Sequence, residues 1–235
     1  MSYDFALFIP DRDAGGVAAG SRYLPANKRL VERYNIEGVP NPSAVGPLAD
    51  IAEAMNSQRQ ELEQHGVLLS SGIAPEGDRM LPIPVTYPSA ETARNWLSEI
   101  AVNNSLGLLD ASSNLVIAFG DEDPQFETMT AQWSIPGFSR RGLPSLLEYV
   151  QDVLAQDHFV ILQRKDVDQH YIQTIVDEES SQPDAWHVEY RACSYDQHFG
   201  LDVDSKDKVV ELFKQWLDGS PQFTERAWEN MGFTS

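Results

Sequence analysis

The chain is poorest in cysteine and in positive charge. Cys193 is the one cysteine in 235 residues, so no intrachain disulfide forms and no cysteine-based zinc site can be assembled. Lysine and arginine number 17 against 36 aspartates and glutamates, for a net charge of −19 and a pI near 4.4. Such a surface repels nucleic-acid phosphates and anionic lipid, which argues against direct binding to either. It favours fast encounter with a basic protein or a cation, although solubility alone accounts for the charge. No apolar run approaches the ~20 residues of a membrane-spanning helix. The start, Met1-Ser2-Tyr3-Asp4, has neither the basic nor the apolar region of a secretory leader, so a cytoplasmic protein is the expectation. Gly15-Gly16 and Gly20 are not followed by Gly-Lys-Ser/Thr, and Gly-x-Gly-x-x-Gly is missing; a phosphate loop is not expected. No internal repeat or low-complexity run occurs.

What remains is ordinary globular material, 42% hydrophobic and 23% charged, and its clearest pattern lies between His158 and Val203. Four short runs there are rich in β-branched and aromatic residues: 159–163, 171–176, 186–191 and 198–203. Asp, Ser and Pro separate them, as in a strand meander with tight connections. In the third run Trp186, Val188 and Tyr190 alternate with His187, Glu189 and Arg191. Period-2 alternation predicts one buried face and one open to solvent or a partner. The second run mixes polar and apolar residues less cleanly. Asp204 or Ser205 then caps a helix to Asp218, with Gly219 past its end and an apolar stripe of Val209, Leu212, Phe213, Trp216 and Leu217. A helix over 143–155 leads into this region.

The first half reads as a second α+β unit. Tyr3 to Ile9 is almost continuously apolar and predicts a central strand. A loop follows at 11–20 and a short helix at 28–34. Leu48 to Leu62 carries helical spacing that ends at His65-Gly66, and Pro82 and Pro84 confine the strand at 81–87 to a sheet edge. Ser89 is placed to cap a helix with Ala93, Trp96, Leu97 and Ile100 on its apolar face. A hairpin joins 106–109 to 115–119. The fold class is therefore α+β in two small units. Residues 1–120 form the first, 121–142 a Pro- and Gly-containing linker, and 143–235 the second, an antiparallel sheet of about four strands under one helix. Residues 151–235 hold 7 lysines and arginines against 17 acids, a balance of −10, so an electrostatically steered partner should prefer the second unit. The tail from Pro221 brings Phe223, Trp228, Met231 and Phe233, which are expected to pack on the core.

No catalytic signature stands out. Four of the five histidines fall between 158 and 198, but their long spacings put each on a different strand, so no metal site is expected. His187 and His198 are the pair adjacent strands can join. Glu189 and Arg191 with His198 supply an acid, a cation and a base for a hydrolytic site; a solvated sheet face with cross-strand contacts looks the same. Cys193 with His198 is a candidate thiol–base pair; a small thiol is more often a packing residue. Asp121-Glu122-Asp123 and Asp177-Glu178-Glu179 do not fit a calcium loop. No cofactor is implied.

Three stretches carry a resemblance. Tyr171-Ile172-Gln173, then Val188-Glu189-Tyr190-Arg191 with His198-Phe199, and Val209-Val210-Glu211-Leu212-Phe213 resemble the Imm1-type immunity families of bacteria. Where members often have Gly-Ser after the arginine, this chain has Ala192-Cys193-Ser194. The N-terminal stretch is similar to uncharacterised bacterial proteins that begin Met-Ser-Tyr-Asp. The resemblance implies a non-enzymatic protein that blocks a basic toxin domain by binding it, with Tyr171, Gln173, Glu189, Arg191 and His198 as binding residues. The alternatives are a hydrolase using Glu189, Arg191 and His198, and a protein that self-associates through an uncovered sheet face.

Overall fold

The computed structural model describes residues 2–10, 46–75, 80–113, 115–152, 158–182 and 184–232. The expected loop at 11–20, the helix at 28–34, the last residues of the helix over 143–155 and Phe233 lie outside the described residues. The chain divides into two compact units, Met1–Glu122 and Asp123–Ser235. Among the described residues, no helix is long and apolar enough to cross a membrane.

The first unit is a four-stranded antiparallel sheet with helices. β1 (Tyr3–Phe8) buries every residue from Phe5 onward, which is why it lies inside the sheet. β2 (Met80–Val85) pairs with one side of it and β3 (Gly107–Asp110) with the other. β4 (Leu115–Phe119) completes the order β2-β1-β3-β4. β2 is an edge strand, and Pro82 and Pro84 take alternate positions opposite Ala6 and Asp4. The helical period read from Leu48 to Leu62 becomes two helices, α1 (Pro47–Ser57) and α2 (Arg59–Gln64), broken at Gln58. α3 (Ala90–Asn103) buries Ala93, Leu97, Ser98 and Ala101. Its inward face thus follows the i, i+4 row from Ala93 to Ala101, and Trp96 and Ile100 are left half-buried on the flank. Ser89 precedes α3 as expected but does not cap it. Its Oγ instead accepts the Leu68 N–H at 3.1 Å and meets Thr86 Oγ1 at 3.0 Å. A wholly buried carboxylate, Asp110, ties this unit together. It accepts hydrogen bonds from Tyr3 Oη at 2.8 Å, an Arg94 terminal nitrogen at 3.1 Å and the Ser113 N–H at 2.9 Å.

The second unit is larger than the sequence implied. Its sheet has seven antiparallel strands in the order β11-β10-β9-β8-β7-β5-β6. The four expected strands are β7 (Phe159–Arg164), β8 (His170–Val176), β9 (Trp186–Ala192) and β10 (His198–Val203). The stretch read as a linker contributes β5 (Phe126–Thr130) and β6 (Ser134–Ile135), with β5 laddered along β7. Buried Thr128 and Thr130 gave that strand no apolar signal, and the Thr128 hydroxyl is satisfied by donating to Gly137 O at 2.7 Å. β11 (Glu229–Asn230) adds a short far edge.

Two helices, not one, cover the inner face: α4 (Leu143–Asp152) contacts β7, and α5 (Lys206–Leu217) contacts β8, β9 and β10. Val160, Leu162, Ile172, Trp186 and Val188 of the strands and Val209, Leu212 and Phe213 of α5 are all fully buried. Ser205 stands at the α5 N-cap without a side-chain cap. Asp184, from the β8–β9 connection, does that work. Its carboxylate accepts the Lys206 N–H at 3.1 Å and the Trp186 indole N–H at 3.1 Å. The far end is a Schellman turn: Gly219 sits at φ 59°, its N–H donates to Trp216 O and the Ser220 N–H donates to Gln215 O. The short helix α6 (Pro221–Thr224) buries Phe223. Phe223, Phe199 and Trp228 pack round Tyr190 with ring centres 4.7–5.0 Å apart. Met231, expected on the core, keeps 41% of its surface exposed.

Candidate interaction surface

The antiparallel register decides which side chains share the outer face of the second sheet. Tyr171, Gln173 and Ile175 of β8 stand opposite Arg191, Glu189 and His187 of β9. Across β9, the same three meet His198, Gly200 and Asp202 of β10. On the other flank Phe159 and Ile161 of β7 lie opposite Ile175 and Gln173. All five residues read as binding residues, Tyr171, Gln173, Glu189, Arg191 and His198, therefore sit together on the face opposite α4 and α5.

Glu189 is the centre of this cluster. One carboxylate oxygen faces His187 Nε2 at 3.3 Å. The other accepts Gln173 Nε2 at 2.6 Å and meets His198 Nε2 at 2.9 Å. An Arg191 terminal nitrogen lies 3.3 Å from His198 Nδ1. A guanidinium only donates, so that contact makes Nδ1 the acceptor and puts the ring proton of His198 on Nε2, towards Glu189. Arg191 also donates to Gln169 Oε1 at 2.5 Å, and its guanidinium carbon lies 5.3 Å from the Tyr171 ring centre and 4.9 Å from that of Tyr195. Both contacts are within cation–π range.

His187 differs from His198. Its Nδ1 is 2.6 Å from Asp202 Oδ1 while its Nε2 faces Glu189, so both nitrogens meet carboxylates. The hydrogen bond to Glu189, with Asp202 adding to it, pushes His187 up to about 9 in spite of burial. The same contact, helped by His198 and Gln173, pulls Glu189 down to about 2. Burial moves the Tyr171 phenol upward. Near neutrality the centre is thus a fixed imidazolium–carboxylate pair.

Three participants stand outside the five residues read as binding residues, although the sequence does name His187 as a strand neighbour of His198. His187 carried a signal, since it shares the outward alternation with Glu189 and Arg191. Asp202 did not, because only the β9–β10 register brings it to His187. Gly200 lies opposite Glu189. A Cβ there would lie 3.0 Å from two atoms of the His187 ring and 2.3 Å from Met231 Sδ, so the glycine leaves room for the ring. A glycine inside a strand pattern is the mark of such a close approach.

Beside the cluster the face becomes apolar. Phe159, Ile161 and Ile175 border a depression of about 260 Å3 that Gln173, His187 and Glu189 close on the polar side. Ile175 is 43% exposed. Cys193, read more readily as a packing residue than as the thiol partner of His198, is exposed, and its Sγ lies 3.5 Å from His170 Nδ1. His170 belongs to the inner-face alternation and stacks on Trp216 of α5 at 5.1 Å. Among the described residues, no group of three or more His, Cys, Asp or Glu is arranged to hold a metal ion. Comparison with protein-family models, with curated proteins and with solved structures found no match to this chain.

Proposed function

We propose that this chain is a binding protein whose second unit recognises a basic protein partner on the outer face of its seven-stranded sheet. The observation that carries this reading is the state of Glu189. Its carboxylate already faces three donors and is held near 2, while His187 is held near 9. General acid–base catalysis needs groups that exchange protons near the working pH. These two are displaced in opposite directions, which supports a preorganised recognition surface over the hydrolase alternative. The anatomy fits: an apolar depression at Phe159, Ile161 and Ile175 adjoins a polar rim with Arg191, Tyr171 and Tyr195. Apolar centres with polar rims are the usual make-up of protein interfaces. Both outermost strands, β6 and β11, are two residues long, so strand addition at an edge has little to pair with. The acidic balance of residues 151–235 favours a basic partner. The Imm1-type resemblance makes that partner a toxin domain, blocked by occupation of its basic substrate face.

The test is affinity capture on the full chain, followed by association kinetics with the protein retained. A basic protein should be held by the wild type and lost by Ile175→Asp, with association slowing as salt rises through the range where screening acts. Capture of no basic protein, or equal capture by Ile175→Asp, would overturn the reading.

A further inference from the structure

We propose that the groove between α2 and α3, in the first unit, binds an alkylammonium group. The groove has a volume of about 490 Å3. Leu62 and Val67 give it a buried apolar base, and half-buried Trp96 gives it an aromatic wall. Glu61 of α2 and Glu99 of α3 also line it. Neither glutamate forms an ion pair among the described residues, and no lysine or arginine lines the groove, whose remaining polar lining is Gln58, His65 and Thr92. Arg59, which shares α2 with Glu61, is turned to Glu63 and to Leu69 O. Arg94, on α3, is committed to Asp110.

Each candidate ligand meets this lining differently. An anion is repelled by two unneutralised carboxylates. A neutral apolar molecule takes water from those carboxylates and returns nothing. A calcium-like cation needs six or more oxygens in one shell, and among the described residues no group of three or more His, Cys, Asp or Glu is arranged to hold a metal ion. An ammonium head on a methylene chain matches the acidic, apolar and aromatic parts together: charge meets Glu61 and Glu99, methylenes meet Leu62 and Val67, and the cation lies by the indole of Trp96. Trp96 is available because the inward face of α3 runs through Ala93, Leu97 and Ala101. The ammonium can come from a free polyamine or from a lysine on another protein.

The experiment uses the full, isotope-labelled chain, with the Trp96 indole resonance assigned through Trp96→Phe. Four probes are titrated: n-butylammonium, neutral n-butanol, spermidine, and a blocked tripeptide with one lysine. Butylammonium is expected to move the Trp96 resonance at about tenfold lower concentration than butanol, and a Glu61→Gln/Glu99→Gln variant should lose about tenfold in affinity. Both glutamates are exposed, so this variant should keep the wild-type circular dichroism. Tighter binding of spermidine than of the tripeptide supports the proposal with a free polyamine as source. Equal or tighter binding of the tripeptide supports it with a protein lysine as source. An unmoved Trp96 resonance at decimolar butylammonium, an equal response to butanol, or undiminished binding by the double variant would overturn it.

Discussion

Replacing Glu189 with glutamine tests the centre of the proposed surface. The change removes the charge that faces His187 and turns an amide towards two existing donors, Gln173 Nε2 and His198 Nε2. In the folded wild type His187 is pushed up from 6.5 to about 9, first by Glu189 and then by Asp202. A raised histidine stabilises the fold fully below pH 6.5, and that contribution is lost as pH rises through 9. Seen from Glu189, the same contact is present above pH 4.5 and lost as pH falls through 2, so it counts once. The gap between 6.5 and about 9 corresponds to at most ~3 kcal/mol. The His187 side chain keeps 27% of its surface exposed and Asp202 keeps 81%, and screening reduces the expected value to about 2 kcal/mol. Urea unfolding across pH 6 to pH 10 should show wild-type stability falling by about that amount, and Glu189→Gln should lose most of the slope. In parallel, the His187 ring resonance should titrate near 9 in the wild type and well below it in the variant. A wild-type His187 that titrates near 6.5, or an unchanged slope in Glu189→Gln, would refute the argument.

Two further substitutions probe the supports of each unit. Arg94→Ala leaves the wholly buried Asp110 carboxylate without its cation and should cost about 3–5 kcal/mol in urea unfolding; a loss below about 1 kcal/mol would show that Tyr3 and Ser113 suffice. Asp184→Ala uncaps α5 and strands the indole N–H of fully buried Trp186. It should cost about 2–3 kcal/mol, whereas Ser205→Ala should change stability little because Ser205 makes no side-chain cap.

What was legible in the sequence was whatever a local period encodes. The alternation of Trp186, Val188 and Tyr190 against His187, Glu189 and Arg191 gave the facing of β9 directly. The continuous apolar run of β1 placed it inside its sheet, and Gly219 marked the end of α5. Non-local features were not legible. β5 carries threonines inward, where hydroxyls are satisfied by backbone partners that only the fold supplies, so the stretch read as a linker. The cap of α5 comes from Asp184, 22 residues upstream, and no capping pattern next to the helix can report that. Of the four residues read as the apolar face of α3, Ala93 and Leu97 are buried; Trp96 and Ile100 look like core residues but are half-buried, and the smaller Ser98 and Ala101 are buried instead.

The candidate surface shows the same division with a functional consequence. The five residues named from the sequence do converge, yet convergence alone fits an active site as well as a docking face. The deciding quantity is ionisation, and that depends on two things beyond the strand pattern. One is the β9–β10 register, which brings Asp202 to His187. The other is the missing side chain at Gly200, which lets the His187 ring sit beside the carboxylate. With both in place, His187 and Glu189 neutralise each other and neither is poised to exchange a proton near neutrality. Had the register slipped by one residue, every side chain of β10 would have changed face, and Glu189 would have lost His198 as a partner and His187 would have lost Asp202. The proposed recognition role therefore rests on strand pairing as much as on the identity of the cluster residues.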